Sequence, residues 1–428
     1  MNDSKHIAII GAGAAGLMCG IMTMRECRDL GVDARVTVLD GAKKIGAKIL
    51  VAGGGRCNVT HYRVLPKDYA GSSRNAIKKL LKAFSEQDTI RFFEALGVDL
   101  KQESTGKMFP VTDTAQTVLS ALLDECDRLG VMIKNPWRVG GVNRGSDGFE
   151  IIPTDDRNES VRADLVVLAT GGMALPRTGS DGAGYRIAKS LGHTTTERIF
   201  PSLVPLIVDD QSLWIRELSG ISARVNLQVR SGTGKRLASF TNELLCTHFG
   251  LSGPAVLDIS RWYLEAKHHD ADAALVINWI DDVSAESLDA ELQGLGKRTI
   301  SGFMRDRLPE RLARALCDQA GLDPSTPGHA ITREQRKKLV QVVTSCKIEI
   351  ERDRGFTFAE VTAGGVPLTE VSTSTMASRA CERLWLIGEI LDVDGRIGGF
   401  NFQWAWATGT VAGRSIAKTL VSGTHVQA

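Results

Sequence analysis

Short, largely apolar runs bounded by glycine or charged residues recur in the first part of the chain and again near its carboxyl end. The clearest cover residues 6–10, 35–39, 163–169 and 383–387. Apolar residues occupy successive positions in these runs instead of alternating with polar ones, as in strands buried on both faces of a parallel sheet. A segment with helical character follows the first run. The pattern predicts an α/β fold with a parallel sheet.

The pattern changes between residues 196 and 354. Strand-like runs come first, at 203–208, 223–229, 236–241 and 274–279. Helix-like segments separated by glycine and proline follow at 285–292, 300–305, 310–320 and 333–345, and residues 347–350 return to the β-rich part. We therefore expect a β-rich domain (196–283 with 346–354) and a helical domain (284–345), both inserted into a discontinuous domain (1–195 with 355–428).

The first apolar run leads directly into Gly11-Ala-Gly13-Ala-Ala-Gly16, then into a helical segment and a second strand that ends at Asp40. A G-x-G-x-x-G motif in this order is typical of a dinucleotide-binding turn. Gly11 permits the tight turn, Gly13 lets the backbone approach a pyrophosphate, and Gly16 lets the helix pack closely on the strand. The alternative is a plain strand–helix turn.

The start of the helix, which includes Ala14 and Ala15, is expected to offer N–H groups and the positive end of the helix dipole to the phosphates. Asp40 can accept hydrogen bonds from a ribose 2′-hydroxyl, and its charge disfavours a 2′-phosphate. The motif alone leaves open whether the ligand is FAD or NAD.

A second glycine-rich segment, residues 46–61, contains three consecutive glycines and is called here the glycine-triplet loop. Its candidate contacts to a polar, extended ligand are Lys48, Gly54, Gly55, Arg56, Cys57 and Asn58. The alternative is a solvent-exposed turn in which Lys48 and Arg56 are surface charges. Because Cys57 has no second cysteine within a few residues, we expect it to pack or to line a pocket, without forming a transient disulfide.

Two later segments follow predicted strands. The run at 163–169 is followed by Thr170, Gly171 and Gly172, and then by a loop that contains Asp181 and precedes a helix at 185–191. The closing segment, residues 388–406, offers the candidate contacts Gly388, Glu389, Gly398, Gly399, Phe400 and Asn401. The strand ending in Ala169-Thr170-Gly171-Gly172 and the pair Gly388-Glu389 resemble segments of two-dinucleotide flavoproteins, in which a strand-end Gly-Asp contacts the flavin. This resemblance implies a helix from about residue 405 whose N-terminus favours negative charge on a reduced flavin. Core packing is the alternative for its aromatic residues. The closing segment is expected to dock beside the first glycine motif, residues 11–16, so that the two ends of the chain together complete one FAD site.

These motifs together resemble those of the BaiN/RdsA-type, or YhiN-like, NAD(P)/FAD-dependent oxidoreductases, some of which are described as aminoacetone oxidase-like. The shared motifs are GAGAAG at 11–16, GGGRCNVT at 53–60, ATGG and GSDGAGY within 169–185, NELLCTHFGLSGPAVLDIS at 242–260, EVTAGGVPLTEV at 360–371, TM at 375–376 and GEILDVDGRIGGFNFQWA at 388–405. The resemblance implies bound FAD, a small-molecule substrate and a discontinuous FAD-binding Rossmann-like domain of the glutathione reductase type. Asp40 and His61 stand where the family commonly has Glu and Asn.

Composition narrows the class of protein. The 52 Lys and Arg residues against 50 Asp and Glu residues give a net charge of +2, which does not indicate a nucleic-acid or membrane surface. The eight cysteines form no C-x-x-C pair and no zinc-binding spacing, so we expect free thiols, no metal site and a cytoplasmic location. No apolar stretch approaches the roughly 18 residues of a membrane span, and no signal-peptide pattern begins the chain. The oligomeric state stays open.

His248 is the candidate proton donor or substrate-orienting residue, and bracing of its own loop is the alternative. The sequence contains no second dinucleotide motif, so NAD(P)H is expected to visit the flavin only transiently. The leading expectation is an FAD-dependent oxidoreductase of a small organic substrate, with NAD(P)H-linked reduction of a conjugated alkene or enone. The alternatives are an amine oxidase that uses oxygen and a non-enzymatic flavin-binding redox sensor. The near-neutral charge weighs against flavin-dependent modification of RNA.

Overall fold

The computed structural model describes residues 4–424. Its helices are α1 (Ala14–Leu30), α2 (Ala47–Gly55), α3 (Arg74–Ala83), α4 (Glu86–Ala95), α5 (Ala115–Leu129), α6 (Ala183–Ser190), α7 (Trp214–Glu217), α8 (Pro254–His269), α9 (Ala285–Gln293), α10 (Ile300–Met304), α11 (Glu310–Ala320), α12 (Arg333–Thr344) and α13 (Phe400–Thr424). Its strands are β1 (Lys5–Ile10), β2 (Ala34–Leu39), β3 (Thr60–His61), β4 (Tyr69–Gly71), β5 (Leu100–Gln102), β6 (Lys107–Pro110), β7 (Met132–Lys134), β8 (Val139–Arg144), β9 (Phe149–Pro153), β10 (Val161–Ala163), β11 (Leu165–Leu168), β12 (Phe200–Ser202), β13 (Leu206–Val208), β14 (Ser222–Arg230), β15 (Arg236–Thr247), β16 (Gly250–Ser252), β17 (Ala274–Asn278), β18 (Cys346–Ile348), β19 (Ile350–Asp353), β20 (Val361–Ala363), β21 (Leu384–Leu386) and β22 (Val393–Gly395).

The described residues divide into two compact units. The discontinuous unit runs up to Phe200 and resumes at Val361, and the inserted unit is Pro201–Glu360. The predicted β-rich and helical parts fall together in the inserted unit, so a separate helical domain stays a prediction. The first three and the last four residues of the predicted discontinuous domain lie outside the described residues.

A parallel sheet in the order β21-β11-β1-β2-β7 forms the centre of the discontinuous unit. The four apolar runs supply β1, β2, β11 and β21, which are buried over almost their whole length. The predicted α/β fold with a parallel sheet is therefore confirmed. In such a sheet the segments that follow the strands meet outside their carboxyl ends, where α/β proteins bind their ligands. We call this the carboxyl edge of the sheet.

Helix α13 packs along α1 at a distance that requires glycine at two positions. A Cβ on Gly409 would lie 2.6 Å from the carbonyl oxygen of Ala15, and a Cβ on Gly413 would lie 2.8 Å from that of Cys19. Because a side chain cannot approach a backbone oxygen so closely, these glycines let the two helices pack closely together. The contact brings the carboxyl-terminal helix against the first turn of the amino-terminal helix.

The prediction that this last helix begins near residue 405 is wrong, since α13 begins at Phe400. The preceding glycines, Gly398 and Gly399, have φ of +125° and +92° and end the loop immediately before the helix. None of the helices within residues 4–424 is long and apolar enough to span a bilayer.

The inserted unit contains an antiparallel sheet in the order β18-β17-β14-β15-β16-β13-β19. Helix α8 packs on β14 and β15, and α12 packs on β17 and β18 as well as on α9 and α11. The predicted strands and helices of this region are present, although β13 begins only at Leu206 and β15 continues to Thr247. The predicted return at 347–350 corresponds to β18 and β19.

Candidate functional site

The turn between β1 and α1 is held by backbone contacts that leave no room for a side chain at two glycines. Gly11 has φ of +111°, and a Cβ on it would lie 2.3 Å from the carbonyl oxygen of Ala169, which follows β11. A Cβ on Gly16 would lie 1.9 Å from the carbonyl oxygen of Gly11. These are the contacts that a tight turn and close packing of the helix require.

The first turn of α1 is open at its backbone. Gly13 is the N-cap, no side chain caps this helix, and its first turn, which includes Ala14 and Ala15, contains no acidic residue. A Cβ on Gly13 would meet no atom within 4 Å. A helix N-terminus of this kind favours an anion through its N–H groups and its dipole.

Asp40, at the end of β2, ties the following loop to this turn. Its Oδ2 accepts a hydrogen bond of 2.7 Å from the N–H of Ala12, and its Oδ1 accepts one of 2.7 Å from the N–H of Ala42. A carboxylate has about four acceptor positions. Asp40 therefore holds the turn and still has acceptor capacity for a ligand hydroxyl.

The glycine-triplet loop interrupts helix α2. Ala52 has ψ of 143°, and Gly53 and Gly54 have φ of +58° and +70°. A Cβ on Gly53 would lie 2.9 Å from the ring of Phe109, whereas one on Gly54 would meet no atom within 4 Å and one on Gly55 only a carbonyl oxygen at 3.8 Å. Only the first of the three glycines is therefore required by packing.

The next two residues of this loop interact with protein neighbours. Arg56 Nη1 lies 2.6 Å from Glu103 Oε1, and the guanidinium carbon lies 4.0 Å from the ring centroid of Phe109. Cys57 is fully buried, and this burial raises the pKa of its thiol to about 12. Because the reactive form of cysteine is the thiolate, a thiol with this pKa suits a packing role and not disulfide chemistry.

The closing segment docks on the glycine-triplet loop through buried hydrogen bonds. The Asn58 amide, in the orientation that satisfies its neighbours, donates to the carbonyl of Thr60 (2.9 Å) and accepts from the N–H of Gly399 (3.1 Å). Trp406 Nε1 donates to the carbonyl of Val59 (2.9 Å). The chain ends therefore lie against each other in this region.

Gln403, which was not among the residues predicted from the sequence, is at the centre of this contact. Its Oε1 accepts from the hydroxyls of Thr60 (2.7 Å) and Thr89 (2.8 Å), and its Nε2 donates to the carbonyl of Phe84 (3.0 Å). The side chain is fully buried. The signal available in the sequence was a glutamine among aromatic residues at the start of an apolar helix. A glutamine buried at such a position needs hydrogen-bond partners for its amide.

Phe400 and Asn401 stabilise the closing segment itself. The Phe400 ring stacks on His61 with centroids 4.9 Å apart, and the Tyr69 hydroxyl donates to the Phe400 carbonyl (2.8 Å). Asn401 Oδ1 accepts from the N–H of Gly395 (2.8 Å), and its Nδ2 donates to the carbonyl of the same glycine (3.0 Å). Both ends of the Asn401 amide are therefore engaged within the segment.

Gly388 begins the closing segment at the carboxyl edge. It has φ of +75°, and a Cβ on it would lie 2.9 Å from the Cβ of Ala15 in the first turn of α1. Its N–H donates to Thr408 Oγ1 (3.0 Å), and its carbonyl accepts from Trp404 Nε1 (3.1 Å). Both backbone groups of Gly388 are held by α13, which places Glu389 beside the turn between β1 and α1, called here the glycine turn.

Lys48 and Glu389, predicted separately as cofactor contacts, are bound to each other. Lys48 Nζ lies 2.5 Å from Glu389 Oε2, and Glu389 Oε1 accepts a hydrogen bond of 3.0 Å from the N–H of Thr362. The side chains of Lys48 and Glu389 are only 28% and 17% exposed, so this pair is shielded more than an ordinary surface ion pair.

The segment after β11 packs tightly against α6. A Cβ on Gly184 would lie 1.8 Å from Thr170 Oγ1, so α6 begins directly on Thr170. Asp181 forms an ion pair with Arg138 and accepts a hydrogen bond of 3.1 Å from the N–H of Ala183, the first residue of α6. The predicted helix at 185–191 begins two residues earlier, at Ala183.

Two buried hydroxyls of this segment, Ser180 Oγ and Tyr185 OH, have no hydrogen-bond partner within residues 4–424. A Cβ on Gly171 would lie 2.7 Å from Ser180 Oγ. Burial, together with the charges of Glu389 and Asp392, raises the pKa of the Tyr185 phenol well above its usual value, so it stays a donor. Buried hydroxyls without a partner are rare. They fit a ligand that carries phosphate or hydroxyl groups.

His248 lies in the inserted unit, in the turn between β15 and β16. The hydroxyl of Thr247 closes this turn by donating to the carbonyl of Gly250 (2.9 Å) and accepting from its N–H (3.2 Å). His248 is exposed, and its ring packs edge-on against Phe249 with centroids 5.1 Å apart. Thr247 therefore accounts for the bracing of the turn, and the chemical role of His248 stays a prediction.

The cysteines agree with the expectation of free thiols, since all eight are buried and unpaired. In the part of the chain that the structure describes, no group of three or more His, Cys, Asp and Glu side chains is arranged to hold a metal ion.

The family described as HI0933-like protein Rossmann domain matches residues 5–415. The chain belongs to this family. It is 33% identical to the 3-dehydro-bile acid delta(4,6)-reductase of Clostridium scindens, over 97% of this chain and 99% of the relative. It is 32% identical to the ribosomal RNA dihydrouridine synthase of Escherichia coli, over 94% of this chain and 95% of the relative. The enzyme of the same name from Haemophilus influenzae is 31% identical over 98% of this chain and all of the relative.

Solved structures of quinol-fumarate reductase share the fold. Two of them match 98% of this chain and 71% and 72% of their own, with TM-scores of 0.51 and 0.52 and 14% sequence identity. The family and the enzyme class predicted from the sequence are confirmed: the chain is an oxidoreductase with a Rossmann-type α/β fold.

Proposed function

We propose that the discontinuous unit binds one FAD at the carboxyl edge of its sheet. We further propose that the chain, with NAD(P)H as electron donor, reduces a carbon–carbon double bond conjugated to a carbonyl group. The observation that carries this proposal is the likeness, over nearly the whole chain, to relatives named for such reductions. A delta(4,6)-reductase of a 3-dehydro bile acid saturates double bonds conjugated to a ketone. A dihydrouridine synthase saturates a bond of uracil that is conjugated to a ring carbonyl.

The open backbone at Gly13 and the unpaired hydroxyls of Ser180 and Tyr185 support the binding of FAD. The start of α1 would bind the pyrophosphate, and Asp40 would bind the ribose. The remaining proposed contacts are Lys48, Gly54, Gly55, Arg56, Cys57, Asn58, Thr170, Gly171, Gly172, Asp181, Gly388, Glu389, Gly398, Gly399, Phe400 and Asn401. In Asn401, where both ends of the side-chain amide are already engaged, the backbone is the proposed contact.

FAD, when bound, supplies the chemistry of hydride acceptance and donation. The residues of the chain hold it, orient it and set the charge around it. A single dinucleotide motif supports a transient visit of NAD(P)H, so that NAD(P)H and the substrate would take turns. His248 is the proposed proton donor for the substrate. None of the relatives named above is an amine oxidase, and the oxidase alternative has correspondingly less support.

An absorbance spectrum of the purified chain, followed by anaerobic mixing, tests this function. We expect a yellow protein that is bleached by NADH or NADPH and recovers its colour when a conjugated enone is added. A folded but colourless protein that takes up no added FAD would refute the cofactor. Bleaching by an amine, with release of peroxide in air, would replace the reductase by an oxidase.

Uracil in RNA is a second candidate substrate, because two of the relatives are ribosomal RNA dihydrouridine synthases. The net charge of +2 led us to expect no nucleic-acid partner, but a site for one exposed base needs no large basic surface. Mass spectrometry of ribosomal RNA from cells lacking this gene separates the two candidates. Dihydrouridine disappears if RNA is the substrate, and it is unchanged if the substrate is a small enone.

A further inference from the structure

The ion pair between Lys48 and Glu389 joins α2 to the closing segment across 341 residues of sequence. Among the candidate contacts it supplies both a cation and an anion at one place. Each charge is neutralised by the other, yet both side chains lie in a region that is open enough to remain partly exposed. A third charged group bound beside the pair would therefore interact with both of its charges.

Neighbouring atoms place this pair at the carboxyl edge. Glu389 follows Gly388, on which a Cβ would lie 2.9 Å from the Cβ of Ala15 in the first turn of α1. A Cβ on Gly172, just after β11, would lie 3.0 Å from Glu389 Oε1. The carboxylate is thus flanked by the segments after β1, β11 and β21, which is the position where α/β sheets bind their ligands.

The carboxylate is held by a chain of hydrogen bonds that runs through Thr362. The N–H of Thr362 donates to Glu389 Oε1 (3.0 Å), and Thr362 Oγ1 accepts from the N–H groups of Met173 (2.7 Å) and Ala174 (3.0 Å). Thr362 is fully buried. Glu389 is therefore fixed to the backbone on one side and to Lys48 on the other, so that the ammonium has a defined position.

We propose that Lys48 is the cation that sets the reduction potential of the bound flavin, with Glu389 and Thr362 as positioning residues. This inference rests on the proposed binding of FAD at the carboxyl edge. Reduction adds negative charge to a flavin, and a fixed ammonium nearby stabilises that charge more strongly in a shielded position than in water. Glu389 opposes this effect, and so the two charges act on the potential in opposite directions.

Midpoint potentials of the FAD-loaded variants test the proposal. K48M removes the cation, and we expect reduced FAD to bind about tenfold or more weakly relative to oxidised FAD, which for two electrons lowers the potential by about 30 mV or more. E389Q removes the anion at nearly constant volume, and we expect a shift of the opposite sign. K48R keeps the charge and should leave the potential close to that of the unmodified chain.

A matched control is the exposed pair of Lys5 and Asp164, whose atoms lie 2.9 Å apart at the amino end of β1. K5M changes the net charge by the same amount as K48M, and its potential should not move.

Equal shifts in K5M and K48M, or shifts of the same sign in K48M and E389Q, would overturn the proposal. A loss of FAD affinity in K48M without a change of potential would also overturn it, since Lys48 would then serve the pyrophosphate. If K48M does not retain FAD, the potential of E389Q decides the test: a potential that is not raised would overturn the proposal. A colourless protein in all variants would instead refute the binding of FAD itself.

Discussion

The glycine turn after β1 and the closing segment after β21 follow two strands of one sheet, but different contacts hold them. In the turn, Gly11 and Gly16 are required by carbonyl oxygens that come within 2.3 Å and 1.9 Å of where a side chain would begin. In the closing segment, the side chains of Gln403 and Trp406 bind the backbone and hydroxyls of residues more than 300 positions earlier. Close backbone packing holds the turn, and side-chain hydrogen bonds hold the closing segment.

This difference explains what each region reveals in the sequence. Steric exclusion by nearby backbone permits only glycine and therefore leaves a recognisable spacing. A side chain can form its hydrogen bonds with many different groups, so the type of residue does not reveal which groups are its partners. The turn was recognisable from its spacing, whereas the central residue of the closing segment was not recognised.

The largest effect is expected in the turn. G16V places a branched side chain against the carbonyl oxygen of Gly11, and relief of this clash must separate α1 from β1. We expect a loss of stability beyond about 4 kcal/mol, which for a domain of ordinary stability prevents folding. Urea unfolding followed by circular dichroism measures the effect.

G13A is the matched control for this variant. Gly13 has φ of −83°, and a Cβ on it meets no atom within 4 Å, so the variant should fold with nearly unchanged stability. If G16V were as stable as G13A, backbone exclusion would not be what holds the turn.

A smaller but substantial effect is expected for Q403L in the closing segment. The change leaves the Phe84 carbonyl and the hydroxyls of Thr60 and Thr89 without their buried partner. We expect a loss of about 2–4 kcal/mol in the free energy of unfolding. Q116L, on the exposed face of α5, is the control and should change stability by less than about 0.5 kcal/mol. Equal effects would mean that the buried amide contributes nothing specific.

The smallest effect concerns α4, the helix that carries Thr89. Asp88 Oδ2 accepts from the N–H (2.8 Å) and the hydroxyl (2.7 Å) of Ser85 at the start of this helix. Partial burial opposes the charged form, but the bonds from Ser85 and the charge of Arg91 outweigh it, so the pKa of Asp88 lies below its usual value. A lowered pKa in the folded state stabilises the fold above the pKa of the unfolded chain, and this stabilisation is lost as the pH falls through the folded value.

D88N should therefore cost about 0.5–1 kcal/mol at neutral pH and less near pH 3, where the unmodified chain has begun to lose the same contribution. Urea unfolding at both pH values measures the difference. D29N, at an exposed position near the end of α1, is the control. A cost that is the same at both pH values would show that the charge of Asp88 is not responsible.

Much of the discontinuous unit could be predicted because its strands are buried on both faces and their apolar runs are continuous. The start of α13 could not, since an aromatic run beside glycines is compatible with loop or helix until Gly398 and Gly399 are seen to end the loop. Lys48 and Glu389 were each predicted as contacts to a cofactor, but their pairing was not predicted. The individual contacts to FAD and the role of His248 stay predictions.

The parallel sheet, the glycine turn and the family could be predicted from the residues alone, because burial and steric exclusion act on the type of residue at each position. Which distant side chains meet became known only from the folded chain: Gln403 binds Thr60 and Thr89, and Lys48 binds Glu389. The physical reason is that hydrogen bonds and ion pairs depend on the positions of two partners at once, and those positions exist only after the two ends of the chain have packed together.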